Sequence, residues 1–323
     1  MTKITPDFCY RLNGRGGATR IDIEDLTPKT PGRLWIHIDY KDEDNQELIK
    51  KMKLDRSITE NLLDPDTSPR YYSHKNGILV VMRGVNTQKN AEIDDMIALH
   101  MWIEERRILT LSHRYIPSVK KVTSALKKGR GPVSPVDCFL ALAGQLTENI
   151  SNAIAKIDDE VDEIEEAVIE QDSYNNKELR QMISQLRHKI VGLRRYIVPQ
   201  RDVVKVMKNV SHPLLQHEHS VQLREIYLDL TKAVEDLNYA RDHSNVTQEE
   251  LDSKTSINIS QTMYIMSIVM VIFTPLTFIT GLLGANIGGI PFASHSHGFW
   301  IVGGLLMLIA FLQLTLLKKM KWF

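Results

Sequence analysis

TMYIMSIVMVIFTPLTFITGLLGANIGGIPFASHSHGFWIVGGLLMLIAFLQLTLL, residues 262–317, is the stretch that decides the fold. It sits inside a longer run, Thr255–Leu317, that holds no Asp, Glu, Lys or Arg. The chain has 323 residues with Lys plus Arg at 40 and Asp plus Glu at 40, so every one of those charges lies outside that run. Two apolar segments within it, Tyr264–Leu283 and Phe299–Leu317, each match the ~20 residues needed to cross ~30 Å of hydrocarbon. The segment between them, Gly284–Gly298, has no Lys or Arg, whereas Lys318, Lys319 and Lys321 follow the second. The positive-inside rule then puts the basic tail in the cytoplasm and the loop outside. Two spans return the chain to its starting side, so the N-terminal region is expected in the cytoplasm as well. Trp300, Trp322 and Phe323 stand where interfacial aromatics are expected.

Working upstream, no Gly or Pro occurs between Pro213 and Pro275. A helix over that whole length would span ~90 Å at 1.5 Å per residue. Ile226, Leu230, Ala233, Leu237 and Ala240 give it a heptad-like apolar stripe. After Ser244 the stripe turns polar, through Thr247, Glu250, Lys254, Asn258 and Gln261, before the apolar segment begins. Such a helix reads as the wall of an oligomeric funnel. Before it, Pro135 can open a helix whose apolar residues Ile150, Ile154, Ile157, Val161, Ile164 and Val168 recur at spacings of three and four. Its other face is the acidic run Asp158, Asp159, Glu160, Asp162, Glu163, Glu165 and Glu166. A second helix is expected over Lys177–Ile197, in phase through Ile183, Leu186, Ile190 and Leu193 and broken by Pro199. Ser173-Tyr174-Asn175-Asn176 joins the two as an αα-hairpin.

The first third reads as mixed α/β. Strand-like runs are Phe8–Leu12, Leu34–Asp39, Ile78–Val85, Ile97–Ile103 and Ile108–Ser112, with helical pieces at Asp44–Lys53 and Ser57–Leu63. The helical pieces cluster, so a mostly antiparallel or mixed sheet fits better than a regular βαβ repeat. His37, His100 and His113 alternate with apolar residues in these strands and read as structural. Cys9 and Cys138 have no metal-ligand spacing and no disulfide framework is expected. The N-terminus has no apolar core of a signal peptide. The expected fold is therefore an α+β cytoplasmic domain with a long helical stalk, plus two C-terminal transmembrane α-helices. Its divisions are 1–130 (α/β domain), 131–212 (helical hairpin), 213–262 (stalk), 263–283 (first span), 284–298 (outer loop), 299–317 (second span) and 318–323 (basic tail).

Two helices cannot enclose a hydrophilic path, so a pore requires several copies of the chain. The first span carries a stripe at spacings of three and four: Met263, Ser267, Met270, Thr274, Thr277, Gly281 and Gly284. Small residues and threonines at such positions also serve helix packing, and that reading stays open beside a pore lining. The second span carries only Gly303-Gly304, Gln313 and Thr315, and reads as the lipid-facing partner.

At the end of the first span stand Gly284-Ala285-Asn286 and Ile287-Gly288-Gly289-Ile290-Pro291. This resembles the Gly-x-Asn signature of the CorA family of divalent-cation transporters, which follows the first of two C-terminal spans. Ala285 replaces the Met usual in the magnesium-transporting branch, and the context is similar to the ZntB zinc-transporter branch. Leu193-Arg194-Arg195-Tyr196 with Pro199-Gln200-Arg201-Asp202, and Gly131-Pro132 before Asp137-Cys138, are similar to that branch too. The resemblance implies a homopentameric funnel in the bacterial inner membrane that moves Zn²⁺ as substrate, with uptake coupled to protons and efflux left open. It implies Asn286 as the filter residue contacting a hydrated ion, Gly284 letting the backbone turn, and Met263, Met266, Met270, Thr274 and Thr277 along the pore. A ring of amide oxygens suits a cation that dehydrates reluctantly, and conduction needs weak sites. The alternative within the same fold is a Mg²⁺/Co²⁺ channel gated by cytoplasmic metal.

Other candidates have plain readings beside the functional one. His295 and His297 in the outer loop offer imidazoles that suit Zn²⁺, or are solvated loop residues. His212, His217 and His219 form a cytoplasmic cluster that either binds regulatory metal or only opens a helix. The acidic face attracts cations or is simply solvated. No Asp, Glu or His lies in the first span to carry a proton, so His295, His297 or Glu250 at the mouths would have to serve. Gly14-Arg15-Gly16-Gly17 is a turn and not a phosphate cradle, because no GK[ST] follows. Nothing supports an enzyme, ATP-driven transport or nucleic-acid binding, and the uncharged balance gives no electrostatic reason for the last. A membrane-tethered scaffold is disfavoured by the Ser/Thr/Met stripe and Asn286.

Overall fold

A computed structural model describes residues 7–64, 68–86, 88, 91–92, 94–170, 175–285, 288–290 and 296–320. The chain divides into two compact units, 1–248 and 249–323. The first is built on a seven-stranded sheet of β1 (Phe8–Leu12), β2 (Ala18–Ile21), β3 (Arg33–Ile38), β4 (Arg70–His74), β5 (Gly77–Val85), β6 (Met96–Ile103) and β7 (Arg107–Leu111), in the spatial order β2-β1-β3-β7-β6-β5-β4. All pairs are antiparallel except β3 with β7, where Trp35 lies beside Ile108 and His37 beside Thr110. The sheet is thus mixed, as the clustered helices suggested. The central strands β5 and β6 are buried on both faces, which is why they read as nearly continuous apolar runs.

Helices α1 (Glu43–Lys51) and α2 (Arg56–Leu62) cover one face. Ile49, Met52, Ile58 and Leu62 pack there on Leu34, Ile36, Ile38, Leu79, Val81 and Trp102. The other face receives α4 (Pro135–Glu170) across β5, β7, β3 and β6, with α3 (Pro117–Lys127) beside α4. The sequence reading did not foresee β2, β4 or α3. The two strands are the sheet's edges and bury none of their side chains fully, so they lack the alternation that marks a half-buried strand. Lys121 bonds Glu148 at 3.0 Å and Asn149 donates to Ser118 at 3.1 Å, holding α3 to α4.

Helix α5 (Asn176–Asn209) returns antiparallel to α4, and residues 217–248 of α6 (His217–Leu283) follow. Asn175 caps α5: its side chain accepts from the N–H groups of Lys177 and Glu178, and Glu178 returns a bond to the Asn175 N–H. Of the expected hairpin loop, Ser173 and Tyr174 lie outside the described residues. Pro199 does not end α5, contrary to the expected break. The missing N–H and ring clash cost a helix ~3 kcal/mol, yet Ile197, Gln200, Val203, Val204 and Met207 are all buried around it. Packing on both sides of the proline outweighs the local cost. The buried stripe of α4 runs through Ile150, Ile154, Ile157, Val161, Ile164 and Val168, and that of α6 through Ile226, Leu230, Ala233, Leu237 and Ala240. Both are the stripes read from periodicity.

In the second unit, residues 249–283 of α6 continue through Pro275 to Leu283, and α7 covers Gly298–Lys319. Both helices are long and apolar enough to cross a membrane, and few residues of either apolar stretch are buried. The long helix begins at His217, after Pro213, and passes Pro275 rather than stopping there.

The turn at Gly14–Gly17 is tied to the end of α3. Gly131 donates to the Gly16 carbonyl at 2.7 Å. Gly16 has φ +85°, and a Cβ there would stand 2.8 Å from the Gly129 carbonyl oxygen. Gly16→Ala should therefore cost about 1–3 kcal/mol, the usual price of a forced left-handed residue, with added steric conflict. A melt of the purified protein should show Tm lowered by several degrees; an unchanged Tm would mean this turn relaxes freely.

Candidate functional site

The second unit sorts its side chains by face. On α6, Ile268 is buried and Ile272, Leu276, Ile279 and Leu283 are half-buried. On α7 the half-buried positions are Val302, Gly303, Leu306, Ile309, Ala310 and Gln313, ending at buried Leu317. Both sets recur at three and four, so each helix turns one stripe inward. The two stripes meet: Ile279 and Leu283 of α6 share a small apolar cavity with Val302 and Leu305 of α7. At 3.6 residues per turn, Met263, Ser267, Met270, Thr274, Thr277 and Gly281 fall on the opposite side of α6. Met263 is 65 % exposed and Met270 64 %, and Met266, Thr274, Thr277 and Gly281 are exposed too. The stripe picked out from periodicity is therefore not the face that packs on α7.

The hydroxyls on α6 fall into two groups. Those of Thr262, Ser267 and Thr280 donate to helix carbonyls of Asn258, Met263 and Thr277 at 2.8–3.0 Å. Those of Thr274 and Thr277 make no such bond among the described residues, so they remain free donors and acceptors on the exposed stripe. Pro275 supplies no N–H to the Val271 carbonyl one turn earlier, which leaves one backbone acceptor without its helical donor. Gly284 is exposed and its N–H bonds the Thr280 carbonyl at 2.9 Å, closing the helix; Ala285 is half-buried. Asn286 and His295 lie outside the described residues. His297 is exposed at the start of α7, with Nδ1 3.0 Å from the Ser296 hydroxyl.

The structure does not bring His212, His217 and His219 together as a metal site. His212 Nε2 contacts the His74 carbonyl at 3.1 Å, and its Nδ1 accepts from the Leu214 N–H. His219 Nδ1 accepts from the Gln216 N–H, and its Nε2 lies 3.7 Å from Asp137. His217 is exposed. Among the described residues no group of three or more His, Cys, Asp or Glu side chains is placed to share a metal ion. Both buried rings are used as hinges of the segment between α5 and α6.

The acidic face of α4 is only partly solvated. Glu160 pairs with Lys189 of α5 at 2.7 Å, and Glu165 with His243 of α6 at 3.6 Å. Asp158 has no such partner. One of its oxygens is buried without a hydrogen bond, and burial followed by the negative charges of Asp236, Asp162 and Asp159 pushes its carboxyl pKa up. Asp236 was not anticipated. No local pattern in the sequence signals it, because Asp158 and Asp236 lie on different helices far apart in the chain.

Residues 32–319 match the family described as CorA-like Mg²⁺ transporter protein. The chain is 32 % identical to the divalent cation transporter CmaX of Pseudomonas aeruginosa over 98 % of this chain and 96 % of the relative. A solved structure of full-length CmaX superposes with TM-score 0.82 at 30 % identity, covering 100 % of both chains. The zinc transport protein ZntB of Yersinia pseudotuberculosis is 27 % identical over 98 % of this chain and 95 % of its own. The CorA magnesium transporter of Methanocaldococcus jannaschii shares the fold, with TM-score 0.83 at 19 % identity over 99 % of both chains.

The carboxylate of Asp158 gives this region a pH signature. Its folded pKa lies above the unfolded value of ~3.9, so the native state holds the proton more firmly. Stability contributed by this group then rises as pH falls through the folded pKa and is lost as pH rises through it. At neutral pH the ionised carboxylate opposes folding. Asp158→Asn should raise Tm at about pH 7 by roughly 1–3 °C, the scale of a sub-kcal/mol change in a chain this size. The gain should shrink as pH falls and the wild-type group takes up its proton. A Tm lowered at neutral pH would show that Asp158 is a stabilising ligand rather than a strained one.

Proposed function

This chain belongs to the CorA-like Mg²⁺ transporter family and is a divalent-cation transporter, and from that premise we propose that it carries Zn²⁺ into the cytoplasm through a homopentameric pore. The observation that carries the reading is the uncharged Met/Thr stripe of α6, exposed in the single chain and facing away from α7. In the proposed assembly these stripes face one another around the axis, and α7 faces lipid. The free hydroxyls of Thr274 and Thr277 then replace part of an ion's water shell.

Zinc is supported by three things. Relatives named as zinc transport proteins match nearly the whole chain at 27 % identity. The signature reads Gly284-Ala285-Asn286 in place of the magnesium branch's central Met. The thioethers of Met263, Met266 and Met270 are soft donors, which favour zinc over magnesium. Asn286, just beyond the last residue of α6, is assigned as the filter at the outer mouth. The final carbonyls of a helix gather negative partial charge there, and the amide oxygen adds an uncharged acceptor from each copy. Lys318, Lys319 and Lys321 after the second span support a cytoplasmic position for both termini. Proton coupling, if used, runs through groups at the mouths: His295 and His297 outside, or Glu250, which lies 3.2 Å from Lys254. The hard oxygens of Thr274 and Thr277 favour a second reading, a Mg²⁺/Co²⁺ channel of the same architecture.

Purified protein in liposomes should take up Zn²⁺ faster than Mg²⁺, faster still with the outside acidified, and run as a homopentamer by mass. Mg²⁺ flux exceeding Zn²⁺ flux, indifferent to the pH gradient, selects the channel reading. Zinc leaving against an imposed inward gradient selects efflux.

Asn286→Ala should reduce transport at least tenfold while assembly and membrane insertion stay intact, because every copy loses its acceptor together. Asn286→Asp should bind the ion more tightly at the mouth and lower turnover instead of occupancy. Normal zinc flux through Asn286→Ala would remove Asn286 from the filter.

A further inference from the structure

Beneath α3, against β1 and β3, lies a cavity of about 360 Å³, within the size range of small-molecule sites. Its floor is aromatic: Phe8, Tyr10 and His37 are 6 %, 8 % and 2 % exposed. Phe8 stacks on His37 with ring centroids 5.2 Å apart and planes at 29°, and Tyr10 lies 5.1 Å from Phe8. Arg20 of β2 with Lys120 and Lys127 of α3 rim the opening, and no acidic side chain lines it. None of these three cations is paired with a carboxylate among the described residues.

The hydrogen bonds around His37 settle which ring nitrogen carries the proton. The Thr110 hydroxyl contacts three groups: Trp35 Nε1 at 3.0 Å, His37 Nδ1 at 2.9 Å and the Ile36 carbonyl at 3.1 Å. The indole N–H can only donate, so it gives its proton to the hydroxyl oxygen. The carbonyl can only accept, so it receives the hydroxyl's one proton. His37 must then donate from Nδ1, since otherwise one of the three contacts has no proton in it. Burial pushes the His37 pKa down to about 4, so the ring is neutral. Its Nε2 is therefore a bare lone pair. It has no partner among the described residues, and it belongs to a side chain that is almost wholly buried on the cavity floor.

We propose that this cavity is a binding site for an aromatic anion of the mononucleotide class. A flat base lies against the Phe8 and Tyr10 rings, one of its N–H groups donates in plane to His37 Nε2, and its phosphate meets Arg20, Lys120 and Lys127. Each element of the site asks for one part of such a ligand. An aromatic floor rewards a π-face. An acceptor on the cavity floor without a donor rewards an N–H. A cluster of like charges rewards an anion. Inorganic phosphate would satisfy only the last of these, and a neutral base only the first two.

Calorimetry on the full-length protein in detergent with AMP, adenosine and inorganic phosphate tests this. AMP, which binds metal ions weakly, should bind saturably and at least tenfold tighter than adenosine or phosphate. The pair Lys120→Glu and Lys127→Glu should weaken AMP at least tenfold and leave adenosine within twofold. His37→Phe should weaken AMP and adenosine alike and leave phosphate unchanged. Because His37 is buried and that variant can disturb the fold, Thr123→Trp provides a second arm. It blocks the cavity from its partly exposed wall and should abolish AMP binding with Tm unchanged. AMP binding no tighter than phosphate would make this a solvated basic face only. Adenosine binding as tight as AMP, or AMP binding unaffected by charge reversal at Lys120 and Lys127, would overturn the anion site.

Discussion

Inside hydrocarbon a backbone N–H or C=O without a partner costs several kcal/mol, and this chain has only two segments to place there. Everything in the second unit follows from that constraint. The two segments must be helices, since two strands could not close into a barrel. A helix pair uses one stripe of each member against the other, here Ile268 through Leu283 against Val302 through Leu317. The remaining surface has to face lipid or another copy. Lipid tails accept Val, Leu and Phe, but they offer nothing to a free threonine hydroxyl or to the Val271 carbonyl that Pro275 leaves without its helical donor. Such groups are tolerated where water or other protein reaches them. The polar stripe of α6 therefore argues for an assembly before any comparison does.

The first unit meets a milder constraint, burial of polar groups in a sheet-and-helix core. It handles part of this by networks that use each member fully. Trp35, His37, Thr110 and the Ile36 carbonyl form one such set. Arg114 with Asp95 forms another, a two-pronged pair at 2.6 and 2.8 Å. Exposed ion pairs such as Arg56 with Glu60 add little, since the median surface pair is worth ~0–1 kcal/mol. Both ring nitrogens of His100 and the Ser112 hydroxyl are buried without a partner among the described residues, and two further departures from full pairing are Asp158 facing Asp236 and the bare Nε2 of His37. One is a repulsion within the helical layer; the other opens onto a cavity.

The spans, the central strands and the stripes of α4 and α6 were legible because each depends on a local period that burial enforces. The edge strands β2 and β4 were not, because an exposed strand has no face that must be apolar. Pro199 misled for a related reason: its cost is local and visible, whereas the packing of Ile197, Val203 and Val204 that overrides it is tertiary. At the site, Met263, Met270, Thr274 and Thr277 could be read as one stripe. Which way that stripe points needed α7, because helix packing and pore lining use the same residue types. The pairing of Asp158 with Asp236, and of His219 with Asp137, joins residues far apart in sequence and carries no local signature. The tautomer of His37 needed Thr110 on a neighbouring strand.

The absence of charge from Thr255 to Leu317 is itself a statement about rate. Two unit charges ~4 Å apart attract by about 4 kcal/mol at an effective dielectric of ~20. A divalent ion doubles that, and symmetry would repeat the carboxylate in each copy of a homopentamer. Every 1.4 kcal/mol of binding slows release about tenfold, so a ring of carboxylates within the span would hold its ion far too long to conduct. Hydroxyls, thioethers and amide oxygens attract the same ion through dipoles, which are weaker and fall off faster with distance. Their number around an axis makes up for their weakness only while the ion is between them. In the proposed assembly an uncharged path would lower the barrier to entry without deepening the well, and would leave discrimination to donor softness and pore width. That division places charge outside the spans, at Glu250 and Lys254 before the first and at Lys318, Lys319 and Lys321 after the second. There it can shape the local ion concentration without trapping the ion.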